Sequence, residues 1–407
     1  MGFVLTIAAV WLGGQFVTQG LSDHLLTSDP DLAVLWRGDS ADAVAALARQ
    51  RLIGGNRDFA VRLSVRALQL APLNPSALAT DGIALDQLGR EPAANAAMAV
   101  AGKLGWRDAV TQIWLLRQQL LFGDFDAAMN HADALMRRQD DVPAPLLAAV
   151  TAAARDPRMT EPLARHLVAN PAWREPFIAY LSVYARPPAT DVARPLLVRL
   201  ARGPTPPSDD ELAVYLRSLV GAEQFAQAAQ DWRLLGGGGR QAGLAYDGDF
   251  ERPIGQTPFD WTLEHGVGWT ATIADAPDGG HGLALRVNYD GVSPPKVVRQ
   301  MLILPPGAYR LSGRVFDDGD GDPKALAWGV ACATSRQVLG GVPTPGTRGE
   351  WTSFALLFAV PPEACPAQWL VLSAAPGDMQ RDITAWYDNI GVAALATTGP
   401  TKGAANP

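Results

Sequence analysis

Alternating carboxylates mark one short stretch of this sequence. In Phe316-Asp-Asp-Gly-Asp-Gly-Asp-Pro-Lys324, the acids Asp318, Asp320 and Asp322 have the spacing with which a loop wraps a calcium ion. The rest of that pattern is missing. Pro323 stands where the sharp turn needs glycine, and Gly329 where a bidentate glutamate closes the shell. A solvated hairpin tip is the expectation here. Paired carboxylates could also cleave a glycosidic bond, one protonated and one ionised across a cleft. The acids of this half fall in turns, however, not along strand interiors that would line a cleft. No Gly-x-Ser-x-Gly elbow, His-Glu-x-x-His pair or phosphate-cradling loop occurs. His131 and His166 stand singly, away from any cysteine. The chain is therefore expected not to be an enzyme.

Two other residue types could do work. Cys332 and Cys365 are the only cysteines, too few for a metal site with five scattered histidines. A bridge between them and a pair of buried thiols both fit, and the bridge is the expectation. Trp261, Trp269, Trp328, Trp351, Trp369 and Trp386 all fall beyond residue 243. Flat aromatic faces suit sugar C–H faces, but aromatic rings also dominate cores. Trp328 shares a strand face with Val330 and Cys332, which points to the core. Trp261 and Trp269, beside Gly- and Pro-rich turns, are the candidates for an exposed platform.

These residues need elements to position them. A chain of 407 residues, 48% hydrophobic and 18% charged, is long enough for two domains and a sizeable core. Its net charge of −7, with no basic stripe, excludes a nucleic-acid partner. Residues 3–21 carry no charge, close to the length that spans a bilayer, although Gln15, Thr18 and Gln19 dilute it and no basic flank accompanies it. Residues 1–22 are expected to be an uncleaved transmembrane anchor, the other reading being a buried helix of a soluble protein. Residues 23–39 follow as a connector.

From 40 to 235, apolar residues recur at three- and four-residue spacing between Pro, Gly and Asp breaks, which predicts helix after helix, about twelve in all. The motifs GNRDFA (55–60), GREPAA (89–94) and GDFDAA (123–128) stand 34 residues apart. Gly55, Gly89 and Gly123 then mark turns between paired helices, and Ala60, Ala94 and Ala128 mark close helix contacts. In this repeat length and these positions, with Gly82, Ala67, Ala101 and Pro72, the region resembles the tetratricopeptide family. It departs at Trp106, where Pro72 should recur, and at Leu135, which replaces the third alanine. After residue 140 the register blurs. The resemblance implies an α-solenoid that grips a protein partner.

Residues 236–243 begin with four glycines and read as a linker. Beyond them the period becomes two. Tyr309, Leu311 and Val315 alternate with Arg310, Ser312 and Arg314, and Phe354, Leu356, Phe358 and Val360 share one face. Short strands between Pro- and Gly-rich turns predict an antiparallel β-sandwich over 244–396, followed by a disordered tail at 397–407. The order of DGDFERPIGQTPFDW, VRQMLILPPGAYRLSGRV, EWTSFALLF and AWYDNIGV resembles jelly-roll carbohydrate-binding modules. That resemblance implies a structural calcium held between the first and last strands by Asp249, Glu251 and Asp388, the other reading being ordinary carboxylates at a sheet edge.

The fold class expected is thus multidomain α+β: an N-terminal membrane helix, a tetratricopeptide-like solenoid and a C-terminal jelly roll. The function expected is that of an adaptor on the bacterial inner membrane, single-pass, with its bulk in the periplasm. Its repeats would bind an envelope protein, and its sandwich would contact polysaccharide or the partner. Polysaccharide biosynthesis or export is the process that the resemblance implies. Two alternatives stay open: a dedicated glycan-binding protein with the repeats as a stalk, and a structural subunit whose sandwich has no ligand.

Overall fold

The computed structural model describes residues 24–106, 108–138, 142–185, 188–236, 244–277, 282–292, 296–318, 325–347, 349–374 and 382–395. The expected anchor at 1–22, nearly all of the linker at 236–243 and the tail at 397–407 lie outside them. Among the described residues, no helix is long and apolar enough to cross a membrane. The chain divides into two compact units, one formed by residues 1–167 and 171–173, the other by 168–170 and 174–407.

The first unit is all-helical: α1 Pro30–Trp36, α2 Ala41–Ile53, α3 Arg57–Leu70, α4 Pro75–Gln87, α5 Glu91–Leu104, α6 Ala109–Phe122, α7 Phe125–Met136, α8 Ala144–Ala153 and α9 Thr160–Val168. Ser40, Asn56, Asn74, Asp108 and Asp124 start α2, α3, α4, α6 and α7, each side chain accepting from the backbone N–H three residues on. Each such cap stabilises its helix by about 1 kcal/mol relative to alanine. Gly55, Gly89 and Gly123 adopt left-handed φ angles of 82°, 74° and 74° at the turns within the helix pairs, a conformation that only glycine takes without strain. Ala60, Ala94 and Ala128 are fully buried at the contacts predicted for them. At Gly82 the space is filled from outside, since an added Cβ would lie 2.7 Å from Cγ of buried Met98. Leu135 takes the third alanine's place and is buried as well.

The second unit combines helices with strands. It contains α10 Arg174–Ala179, which runs into a π turn at Tyr180–Tyr184, then α11 Thr190–Ala201, α12 Asp209–Gly221 and α13 Phe225–Leu235. Arg174 and Glu211, both buried, join these helices by a two-pronged ion pair of 2.7 and 2.8 Å, and Glu211 also completes the Ser208 capping box. Trp232 of α13 lies edge-on to Tyr246 at 5.0 Å and against Phe259 at 5.4 Å. Arg217 of α12 donates to the Gln256 carbonyl at 2.7 Å. The last helices are thereby fastened to the segment that leads into the strands.

Ten strands follow among the described residues: β1 Thr262–Leu263, β2 Trp269–Asp275, β3 Leu283–Tyr289, β4 Lys296–Leu302, β5 Gly307–Asp317, β6 Leu326–Cys332, β7 Val338–Pro343, β8 Thr352–Val360, β9 Gln368–Ala374 and β10 Ile383–Ala394. They form two antiparallel five-stranded sheets, in the orders β1-β4-β9-β6-β7 and β2-β3-β10-β5-β8. The two-residue alternation of the sequence decides which side chains enter the core. Tyr309, Leu311 and Val315 are buried, as are Phe354, Phe358 and Val360. Between the sheets the rings of Phe250, Trp261, Trp328 and Tyr387 pack in succession, with centroids 5.3, 5.9 and 5.7 Å apart. Cys332 and Cys365 are disulfide-bonded, the expected bridge, and tie the end of β6 to the segment just before β9.

Candidate functional site

On β9, Gln368, Leu370 and Leu372 face the core, which sends Trp369, Val371 and Ser373 outward. On β6, Trp328, Val330 and Cys332 point inward and Ala327, Gly329 and Ala331 outward. The register sets these rows side by side: Trp369 opposite Ala331, Val371 opposite Gly329, Ser373 opposite Ala327. On the other flank of β9, Arg299 of β4 stands opposite Val371. Small outward residues in the middle and larger ones beside them leave a groove of about 710 Å³ on this sheet face, within the usual range for ligand sites. Trp369, Arg299, Ser373 and Arg336 line it. The Arg299 guanidinium carbon lies 5.3 Å from the Trp369 ring centroid, a cation–π contact that limits the freedom of both side chains.

The opposite sheet also carries outward aromatic residues. There Arg286 covers Trp386 at 5.4 Å and Arg314 covers Trp351 at 5.2 Å, while Phe316 packs between the two indoles. These rings are satisfied by one another, whereas Trp369 borders open volume.

The segment that opens the sandwich docks on the strand that closes it. The Ile390 N–H donates to the Gly248 carbonyl at 2.8 Å, and a Cβ on Gly248 would lie 1.7 Å from the Ile390 oxygen, so only glycine fits. Gln300 holds the same segment by accepting from Tyr246 N–H and donating to its carbonyl, at 3.0 and 2.8 Å. This contact brings Asp249, Glu251 and Asp388 into one neighbourhood. Burial pushes the Asp388 carboxyl above its ordinary value; the Asn389 N–H and Arg314 oppose the rise, and Asp249 and Glu251 add to it. The three acids do not form the shell that calcium needs, with six to eight oxygens at about 2.3–2.6 Å. Glu251 accepts the Leu283 N–H at 2.7 Å, and Asp388 accepts from Asn389 N–H and Nδ2 at 2.6 and 3.0 Å. Among the described residues, no group of three His, Cys, Asp or Glu side chains is arranged to hold a metal ion. The most perturbed acid of the cluster is Asp247, which the sequence did not single out. Burial, then a hydrogen bond with Asp249 and that residue's charge, push its carboxyl up to about 6. One of its oxygens, Oδ1, has no hydrogen-bond partner.

The platform predicted at Trp261 and Trp269 is not there. Trp261 is 1% exposed, packed between Phe250 and Trp328, with its Nε1–H donating to the Asp247 carbonyl at 2.8 Å. Trp269 is half-buried against the core, and its ring edge lies over Gly266, where an added Cβ would come within 2.6 Å. A turn-rich neighbourhood does not make either indole a free platform: Trp261 enters the core and Trp269 folds back over Gly266. The alternation Trp369-Leu370-Val371-Leu372-Ser373 was the available signal for the outward tryptophan. Asp320 and Asp322 of the acidic run lie outside the described residues.

No protein-family model matches the sequence, and no curated protein matches it. Among solved structures, the sandwich is similar to a carbohydrate-binding module described as CBM4, at 16% identity over 37% of this chain and 99% of that one, with a TM-score of 0.29. It is similar also to the CBM22-1 xylan-binding domain of a Paenibacillus barcinonensis protein, at 12% identity over 37% and 92%, with a TM-score of 0.28. A further CBM22 xylan-binding domain is 14% identical over 39% and 99%, with a TM-score of 0.28.

Proposed function

We propose that the sandwich is a carbohydrate-binding module and that the chain is a non-enzymatic glycan-binding adaptor. One observation carries this reading: the groove on the β4-β9-β6-β7 face, where an outward indole and polar side chains surround a floor of small residues. A sugar ring offers an apolar C–H face and a polar rim. Trp369 meets the first, while Ser373 and the arginines meet the second. A floor of Ala327, Gly329 and Ala331 lets a chain lie close to the sheet. In this reading the 34-residue helix pairs, which we take as tetratricopeptide-like, engage a protein partner. The disulfide fits an oxidising compartment such as the periplasm, with residues 1–22 as the membrane anchor.

The test is affinity electrophoresis of the full chain through gels that each contain one soluble polysaccharide. At least one polymer should retard the wild-type protein, and Trp369→Ala should migrate freely in that gel. Free migration of the wild type in every gel counts against the reading.

A further inference from the structure

Resting on the reading of the groove as a sugar site, we propose that its ligand is an acidic polysaccharide, one whose sugars carry carboxylates. The protein as a whole is anionic, with a net charge of −7. The charged side chains lining the groove are nevertheless both arginines, Arg299 and Arg336. That inversion of sign is local, set by β4 and the β6–β7 turn. Cationic groups in a confined groove attract carboxylates, and the planar guanidinium matches a carboxylate with two parallel hydrogen bonds.

The side chain of Arg299 and the backbone of Arg336 are held in place. Arg299 is fixed over Trp369, and its Nε is buried with no hydrogen-bond partner. Its Nη2 lies 3.4 Å from Glu264 Oε1, an exposed contact that offsets only part of its charge. Arg336 sits in the β6–β7 turn with a left-handed φ of 58°, and its N–H donates to the Cys332 carbonyl at 3.1 Å. That turn is clamped to the neighbouring segment. Ala333 N–H donates to the Ala367 carbonyl at 2.8 Å, Thr334 Oγ1 donates to the Ala364 carbonyl at 3.1 Å, and the disulfide closes the turn's base. No ion pair of Arg336 is present among the described residues. An exposed cation on a turn whose backbone is pinned beside the groove is placed to meet an anion from outside.

The experiment uses the full chain in gels of polygalacturonate, of the same polymer after carboxyl reduction, and of neutral xylan and glucomannan. The expected result is retardation by polygalacturonate, with the carboxyl-reduced polymer bound at least about tenfold more weakly. Arg299→Gln and Arg336→Gln should each weaken acidic binding about three- to fivefold, the range of one exposed ion pair. Raising the salt from about 0.05 to 0.5 M should weaken only the acidic interaction. Near-UV circular dichroism of each variant confirms that its sandwich is folded. Equal retardation by reduced and unreduced polymer, lost in Trp369→Ala, overturns the acidic specificity but leaves the sugar groove standing. Acidic binding that is indifferent to both arginine variants also overturns it. Retardation by no polymer overturns both the specificity and the groove.

Discussion

Replacing Asp247 with asparagine should stabilise this protein at neutral pH and do nothing for it in acid. The folded-state pKa of Asp247 is about 6, raised first by burial and then by Asp249, against about 3.9 for an unfolded chain. Below about pH 3.9 both states hold the proton, and the residue has no effect on stability. Between about 3.9 and 6 the unfolded chain releases its proton while the folded protein keeps it, so stability falls as the pH rises. Above about 6 the loss is complete. At about 1.36 kcal/mol for every pH unit between the two pKa values, the loss comes to about 3 kcal/mol, an upper bound. Asparagine removes the titration and keeps the local geometry. It tolerates the left-handed φ of 49° at this position, and its amide N–H can donate to Asp249. The Trp261 indole is undisturbed, because it bonds to the Asp247 backbone carbonyl. The assay is guanidinium denaturation of wild type and Asp247→Asn at about pH 4 and pH 7.5, followed by near-UV circular dichroism. The variant should gain about 1–3 kcal/mol at the higher pH and close to nothing at the lower. An equal difference at both pH values, or a variant less stable at pH 7.5, would refute the reasoning.

Gly329→Leu should abolish glycan binding without unfolding the sandwich. An added Cβ there meets only the Gly340 carbonyl, at an ordinary 3.5 Å, and the rest of the side chain occupies the groove; affinity electrophoresis and thermal melting check the two halves of this statement. Removing the disulfide with Cys332→Ser and Cys365→Ser should lower stability by about 3–4 kcal/mol, as the chain-entropy model gives for this loop. Its 33-residue separation sets the loop length, and denaturant titration of the double variant measures the loss. Arg174→Ala leaves Glu211 buried without its counter-charge and should cost about 3–5 kcal/mol, visible as a lower denaturation midpoint.

Much of the architecture was legible in the residue pattern because local physics dictated it. Three glycines at a 34-residue interval become three left-handed turns, and the alanines that follow them become helix contacts. Likewise, strand alternation in YRLSGRVF and FALLFAV assigns the core faces without any tertiary information. The cysteine bridge was legible from the two cysteines and their place beside strands, whereas the Gly248–Ile390 contact was not. The site was harder to read. Whether a tryptophan lines a groove depends on what stands across the neighbouring strands. Trp369 borders open volume because Gly329 and Ala331 lie beside it on β6, a register no local pattern encodes. Trp261 sits in a polar, turn-rich stretch yet enters the core, since the segment's docking on β10 carries it there. The carboxylates suffered in the same way. Glu251 is claimed by the Leu283 N–H, a partner 32 residues away, and Asp247 is perturbed by burial that arises only from the fold.

The central claim is that sugar binds across the β4-β9-β6-β7 face. Titration calorimetry tests it most directly, using an oligosaccharide from whichever polymer retards the full chain, on wild type, Trp369→Ala and Trp386→Ala. If a sugar covers some 60–100 Å² of indole at about 25 cal/mol per Å², Trp369→Ala should weaken binding at least about tenfold. Trp386→Ala, on the opposite sheet, should leave it unchanged. Loss of binding in Trp386→Ala with full affinity in Trp369→Ala would contradict the account.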